Sequence, residues 1–326
     1  MSEPQRLTLA QARDLVAQKL VAHKTSPANA RSVAHALVAA EADGLAGHGF
    51  SRLPSYAAQA QCGKVDGFAV PQLMAPRPGL LRIDAGNGFA YPAIDLAIGD
   101  LVEAAQAEGL AAASIFRSHH CGAMGLHVER LAREGLCALM FANTPAAMAP
   151  WGGQVAIYGT NPIAFAAPVP GRDPIVIDLS LSKVARGQIL SAQQKGRAIP
   201  QGWALDASGA ATTNPASALA GTMVPMGDAK GTALALMVEV LAACLTGAVL
   251  SKDASSFLDA RGPPPGAGQM LLAFDPGVFS GNVFADRMTA LVAAIEAQAG
   301  ARLPGARRFA NRQRAVTDGL LVELRL

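Results

Sequence analysis

The run from Leu110 to Glu134 constrains the fold of this chain more than any other stretch. Leu110–Phe116 is an apolar segment of strand length, Arg117–Gly122 is a polar turn closed by a glycine, and Met124–Glu134 reads as a helix. A strand this apolar reads as buried, and with the helix that follows it makes a strand–turn–helix unit of the kind α/β folds contain. Further strands read at Leu80–Asp84, Leu136–Phe141, Ile163–Ala167, Ile175–Leu179 and Gln269–Phe274. Phe89–Tyr91 reads as a strand joined to Leu80–Asp84 through the turn Gly86-Asn87-Gly88. Helices read at Tyr91–Gly109, Ser182–Lys195, Thr232–Thr246 and Val283–Ala299. Pro200–Pro215 and Ser255–Gly268 read as loops, Arg302–Phe309 as a basic turn, and Leu320–Leu326 as a short strand or helix.

The N-terminal part differs in character. Residues 8–22 carry Leu9, Ala12, Leu15, Val16 and Leu20 on one helical face. Ser26-Pro27 starts a second helix running to Gly44, and Ser51–Cys62 makes a third. The expected organisation is a helical segment over 1–66 that packs with the C-terminal part, a sheet domain over 67–280, and a C-terminal helix and tail over 281–326. The glycine-closed turn before Met124 sits at a helix N-terminus, where phosphate is often held. It is not GxGxxG and no acidic residue follows at ribose spacing, so a Rossmann fold is not expected. Lys230, at the start of the Thr232–Thr246 helix, is a second candidate for phosphate.

Composition narrows the partners. Of 326 residues, 51% are hydrophobic and 16% charged, so part of the surface is apolar and a homo-oligomer would hide it. A net charge of +3 without a basic run before the C-terminus argues against nucleic acid. Cys62, Cys121, Cys137 and Cys244 form no CxxC pair and no metal spacing, which fits reduced thiols in the cytoplasm and no metal. Cys121, beside His119 and His120, invites a catalytic-thiol reading, although no thiolate-activating group can be read beside it. The polar start MSEPQRLTLAQARDL has no signal-peptide core, and Thr232–Val249 carries Glu239, as a buried helix does and a membrane span does not.

Chemistry concentrates in DGLAGHGFSRLPSY, residues 43–56. His48 stands between two glycines and Arg52 follows one helical turn later. A proton-exchanging imidazole beside a guanidinium that can hold a carboxylate by two bonds suits a carboxylic-acid substrate with a reducible or oxidisable neighbouring carbon. The same residues equally read as a helix end with a surface His and a surface Arg. The Thr160-Asn161-Pro162 turn and Asp178-Leu179-Ser180 make a plausible pocket floor, or simple turns.

Taken in order, GHG…R…Y, SHHxGA, YGTNPIAFAAP, PIVIDLSLS, KGxxIPxGWAxDxxG, KGxALALMVExLAAxLTGA and RLPGxRR resemble the malate/L-lactate dehydrogenase type-2 family from about residue 8 to 315. That family includes ureidoglycolate and sulfolactate dehydrogenases and the reductases of Δ1-pyrroline-2-carboxylate and Δ1-piperideine-2-carboxylate. The resemblance implies a non-Rossmann mixed sheet between helical layers and a metal-free, cytosolic, NAD(P)-dependent homodimer. It makes His48 the proton donor, places His120 at the active site and cofactor, and makes Arg52 the substrate-carboxylate residue, with Thr160 and Lys183 near the substrate. Its cofactor segments fall on His120, Cys121, Gly122, Ala123 and Met124; on Asp178, Leu179 and Ser180; on Asp228, Ala229 and Lys230; and on Leu303, Pro304, Gly305, Ala306, Arg307, Arg308 and Phe309.

Two departures stand out. Gly47 replaces the serine that precedes the catalytic histidine in the imine reductases, and Gln188 falls where a relay aspartate is expected. A cyclic imine that arrives already protonated needs less of a relay, and FAAPVPGRDPIVIDLSLS is closest to the imine reductases. The reading is therefore NAD(P)H-dependent reduction of a cyclic imine carboxylate to L-proline or L-pipecolate. NADP(H) is favoured over NAD(H), because Arg307 and Arg308 could hold a 2′-phosphate. A 2-hydroxy acid dehydrogenase of the malate/lactate type and an inactive ligand-binding member are the alternatives.

Overall fold

The structure is a computed structural model that describes residues 5–322, so the part of the Leu320–Leu326 segment beyond Val322 lies outside the described residues. Strand β1 (Gln5–Leu7) precedes α1 (Leu9–Val21), whose N-cap Thr8 and Gln11 form a reciprocal capping box. Ser26 caps α2 (Pro27–Ala42) with Pro27 in its first turn, as Ser26-Pro27 predicts. Two short 3-10 turns, Ala46–His48 and Phe50–Arg52, then run into α3 (Leu53–Cys62), which ends at Gly63 in the left-handed region (φ 82).

The sheet starts with β2 (Gln72–Arg77) and β3 (Leu80–Asp84), which pair antiparallel. The expected strand at Phe89–Tyr91 does not form; Phe89 caps α4 (Ala90–Glu108). Ala90, Ala93, Ile94, Ala97, Ile98, Leu101 and Ala105 are all buried, and this long helical face outweighs a three-residue strand. The chain therefore crosses over and returns as β4 (Leu110–Ser118), parallel to β3, with Ile83 opposite Ile115. Helix α5 (Gly125–Arg133) and β5 (Cys137–Ala142) follow, then β6 (Ile163–Ala167) and β7 (Ile175–Leu179).

Helix α6 spans Arg186–Gln194, so Lys183 lies before it in a bend rather than on the helix expected from Ser182. Within the region read as a loop, β8 (Ala204–Leu205) and β9 (Ala211–Thr212) pair, and β10 (Thr222–Met223), which follows α7 (Pro215–Ala220), joins β8 to complete a small separate sheet. Helix α8 (Ala229–Glu239) continues as a π-helical turn over Val240–Cys244. Then come β11 (Ala267–Phe274), α9 (Pro276–Ser280), α10 (Phe284–Glu296), α11 (Ala306–Asp318) and β12 (Leu320–Val322). Only the first half of the expected basic turn is a turn, since the chain is helical from Ala306.

The main sheet has seven strands in the order β2-β3-β4-β11-β5-β6-β7, and β11 is antiparallel to both β4 and β5. This is the mixed sheet of an α/β fold that the family resemblance implies. Alanines dominate its buried positions (Ala111, Ala113, Ala138, Ala142, Ala164, Ala166), which lets α4 and α5 approach closely. A second core joins α1, α2 and α3 to Ala315, Leu320 and Val322, and β1 pairs with β12. Among the described residues no helix is long and apolar enough to cross a membrane.

One ion cluster ties the N-terminal helices to α11. Asp43, fully buried at the end of α2, accepts from Arg308 Nε at 2.9 Å and Arg312 Nε at 2.7 Å. Arg312 also reaches Glu129 of α5 at 2.6 Å, and Arg133 bonds the same carboxylate at 2.8 Å. Removing one member of such a buried set leaves the others uncompensated, at a cost of roughly 3–5 kcal/mol. Asp43→Ala is expected to lower unfolding free energy by about that amount in urea titrations. A loss below about 1 kcal/mol would show that the cluster is not structural.

Candidate active site

Helix α3 delivers the chemistry expected of His48 and Arg52. The 3-10 turns place His48 half-buried above it, and Arg52 is its N-cap. Arg52 donates from Nε to the Gly47 carbonyl at 2.7 Å, and among the described residues its guanidinium meets no carboxylate. The His48 ring stacks on His120, with centroids 5.5 Å apart and planes 13° from parallel. Nδ1 of His48 is buried without a partner. An added Cβ at Gly47 would meet nothing within 4 Å, so a residue with a side chain has room at this position.

His120 belongs to the turn after β4. One helical turn beyond Arg52, Tyr56 brings its hydroxyl 2.6 Å from His120 Nδ1 and 3.0 Å from the Tyr91 hydroxyl. Gly122, left-handed at φ 67, makes room for that second tyrosine; a Cβ there would lie 2.5 Å from the Tyr91 oxygen. Phe257 covers His119 and His120 at 5.2 and 5.3 Å. Its loop is pinned to α3: Gln59 donates to the Phe257 carbonyl at 3.0 Å, and buried Lys64 donates to Ser256, Asp259 and Arg261 carbonyls at 2.7, 3.0 and 2.5 Å. Nothing in the spacing of Phe257 or Lys64 marks them; only the proline- and glycine-rich character of 255–268 signals a loop that needs anchoring.

Electrostatics at the site are one-signed. Burial, aided by the Arg52 guanidinium, pushes His48 down to about 4. His120 is held well below its ordinary value by burial, Arg52 and the two neighbouring histidines. No carboxylate acts on either ring. Both are therefore neutral at neutral pH. Burial pushes the Cys121 thiol up to about 12, so it stays protonated and the catalytic-thiol reading fails.

Topology collects the remaining candidates along one end of the sheet. The C-terminal ends of β4, β5 and β7 and the start of β6 lie there together. Thr160, before β6, accepts through its carbonyl from Leu181 N–H at 2.9 Å and donates its N–H to Thr144 Oγ1 at 2.9 Å. It stands three strands from His120 in the sheet order, about 14 Å away at ordinary strand spacing. Lys183 is exposed farther along the same end, and no contact joins Thr160 or Lys183 to His48.

The turn 119–124 carries the chain across this end to the start of α5. There the Gly125 N–H donates to the Asp178 carboxylate at 2.7 Å. The phosphate expected at this helix start is thereby displaced: Asp178 already fills the position with negative charge. Burial raises the Asp178 carboxyl, and an acceptor of this kind suits a ribose hydroxyl. Pro304 and Gly305, just before α11, lie against Val176 of the same strand. Met226 N–H donates to the Leu181 carbonyl at 2.7 Å, which sets the exposed Asp228–Lys230 segment next to Ser180. Contacts to β7 and to the chain just after it thus bring parts of the four expected cofactor segments near one another. Arg308 is buried and turned to the ion cluster, its Nε on Asp43 at 2.9 Å and its Nη2 4.0 Å from the Glu129 carboxylate, so it is not free to hold the 2′-phosphate expected of it. Arg307 is exposed.

Residues 7–326 match the model of the malate/L-lactate dehydrogenase family. This chain belongs to that family. It is an oxidoreductase family, and its relatives divide by substrate. A (2R)-3-sulfolactate dehydrogenase (NADP(+)) of Chromohalobacter salexigens is 50% identical over 307 residues, 94% of this chain and 92% of that protein. A Δ1-pyrroline-2-carboxylate/Δ1-piperideine-2-carboxylate reductase of Pseudomonas aeruginosa is 40% identical, covering 97% and 96%. Among solved structures, the Δ1-piperideine-2-carboxylate reductase of Pseudomonas syringae superposes with a TM-score of 0.93 at 38% identity, covering 98% and 96%. The sulfolactate dehydrogenase of Methanocaldococcus jannaschii gives 0.88 at 27%, covering 98% and 93%. The malate/L-lactate dehydrogenase fold expected from the motifs is therefore the fold observed.

His119 is 1% exposed, both its ring nitrogens lack partners, and burial with nearby Lys64 and Arg52 pushes it down to about 3. Unfolded, it titrates near 6.5. Below that pH the unfolded chain takes up a proton that the folded chain refuses, so stability falls as pH drops from about 6.5 towards 3. Each such group steepens the loss by about 1.4 kcal/mol per pH unit. His119→Phe is expected to flatten the slope of unfolding free energy between about pH 4 and 5.5 by that one-proton share. An unchanged slope would show that His119 is charged when folded.

Proposed function

We propose that this family member is an NADP(H)-dependent dehydrogenase that interconverts a 2-hydroxy acid and its 2-oxo acid, favouring substrates with a second acidic group. The observation that carries this reading is the sign of the field: Arg52 is the charged residue acting on both His48 and His120, and no carboxylate acts on either. Such a site attracts anions and an oxygen developing negative charge. A protonated cyclic imine would bring a cationic nitrogen to the same place with nothing to receive it. The 50% identity to a sulfolactate dehydrogenase supports the same reading, since sulfolactate is a dianion.

The free guanidinium nitrogens of Arg52 hold the carboxylate and fix the neighbouring carbon in one orientation. Neutral His48, through Nε2, accepts the hydroxyl proton in oxidation and returns it in reduction. An anionic substrate beside Arg52 offsets the cation that keeps the imidazole proton-poor, so binding readies His48 to hold that proton. In this reading His120–Met124, Asp178–Ser180, Asp228–Lys230 and Leu303–Phe309 hold the cofactor, Thr160 and Lys183 serve the substrate end farther from His48, and Arg307, which is exposed, is free to take a 2′-phosphate. The bound nicotinamide supplies the hydride acceptor or donor. Reduction of Δ1-pyrroline-2-carboxylate or Δ1-piperideine-2-carboxylate is the second reading, favoured by the reductases that are 38–40% identical.

Kinetics with NADP+ and 3-sulfolactate, set against NADPH with the two cyclic imines, test the choice. Sulfolactate is expected to give a kcat/KM at least about tenfold higher, and log kcat/KM for it should stay flat from about pH 6 to 8 and fall only near the His48 value of about 4. Faster imine turnover, or a midpoint near 6.5, would contradict the reading.

The active unit is a homodimer in this proposal. Leu234, Leu236, Met237, Val240 and Leu245, on α8 and its π-helical continuation, are 38–64% exposed and form an apolar face that water does not favour. Sedimentation velocity is expected to show a species of twice the 33.3 kDa chain mass; a monomer at micromolar concentration would refute it.

A further inference from the structure

The two buried tyrosines behind His120 set which of its nitrogens carries the proton. Three polar groups stand in line: the Tyr91 hydroxyl, the Tyr56 hydroxyl at 3.0 Å, and His120 Nδ1 2.6 Å farther on. Proton accounting fixes the direction. Tyr91 is 2% exposed and, among the described residues, its hydroxyl has Tyr56 as its only partner. If His120 Nδ1–H donated to Tyr56, then Tyr56 would donate to Tyr91, and the Tyr91 proton would be buried with no acceptor. If Tyr91 donates to Tyr56 and Tyr56 to His120 Nδ1, every proton in the line is used. Burial raises both phenols well above their ordinary value, so both keep their protons to donate.

We propose that Tyr91 and Tyr56 are positioning residues that lock His120 as its Nε2–H tautomer, which makes it a fixed hydrogen-bond donor to the reacting oxygen of the substrate. The proposal rests on the reading that His120 lines the substrate cleft. His120 Nε2 has no protein partner, and unlike the nitrogens of His119 it is not sealed from solvent. The stacked pair then divides the work. His48, with no tyrosine behind it, exchanges the proton; His120 presents an N–H to the oxygen as negative charge builds on it. The opposite tautomer would turn a lone pair towards that oxygen. The lock occupies the place in the chemistry left open by Gly47 and Gln188: the missing relay is on the His48 side, and the ordered hydrogen bonds are on the His120 side.

The test is the full chain with bound NADP+ and 15N-labelled histidine rings, with His120 assigned by comparison with His120→Gln. Long-range proton–nitrogen spectra are expected to show His120 as the Nε2–H form, and Tyr56→Phe should give a mixture of tautomers. The same variant should lose roughly tenfold or more in kcat, with KM for the acid substrate within about twofold, because Arg52 is untouched. If Tyr56→Phe does not fold, Tyr91→Phe decides, since it lets His120 Nδ1–H donate to Tyr56 and should also produce a mixture. A wild-type Nδ1–H form, or variants that keep both tautomer and kcat, overturns the lock. The spectral arm needs no turnover, so a wrong substrate leaves its result standing.

Discussion

The hydrogen bond from Tyr56 to His120 Nδ1, 2.6 Å long and 64 residues apart in sequence, joins the helical segment to the end of the sheet. In isolation such a bond contributes about 1 kcal/mol. Its weight lies in what α3 does on either side of it. Arg52 at the start of the helix turns to the cleft, Tyr56 holds His120, and Gln59 and Lys64 near its end hold the loop that lays Phe257 over both histidines. A shift of this short helix would move the carboxylate clamp, the donor and the lid of the site together.

Charge is sorted between two regions. Asp43, Glu129 and their arginines are consumed in a buried cluster that fastens α2, α5 and α11 to one another. Asp178 is consumed as the cap of α5. What is left near the stacked histidines is a guanidinium with no counter-charge. That imbalance costs stability and favours a carboxylate substrate, and burial together with this charge keeps both imidazoles neutral.

Much of this was legible in the sequence. The apolar strand, glycine-closed turn and helix of 110–134 read correctly as a unit, the ordinary Rossmann signature is missing, and the ordered motifs imply the mixed sheet by resemblance. His48 and Arg52 stand out by their glycine neighbours and helical spacing. Other features were not legible, because they depend on contacts between distant residues. Phe89 reads as strand locally and is overruled by the buried face of α4. Arg308 reads as a candidate for a cofactor phosphate until Asp43, 265 positions away, is brought to it. Lys64 carries no motif, since its partners are backbone carbonyls. The order in which β11 inserts between β4 and β5 depends on pairing across more than a hundred residues.

The account stands on one arrangement: an acid whose carboxylate lies on Arg52 while its reacting oxygen faces His48 and His120. A crystal structure of the complex with NADP+ and oxamate, an unreactive analogue of a 2-oxo acid, reads it directly. The account predicts the oxamate carboxylate on the Arg52 guanidinium and the carbonyl oxygen within hydrogen-bond distance of both imidazole Nε2 atoms. A carboxylate bound away from Arg52, or a carbonyl turned from the histidine pair, would contradict it.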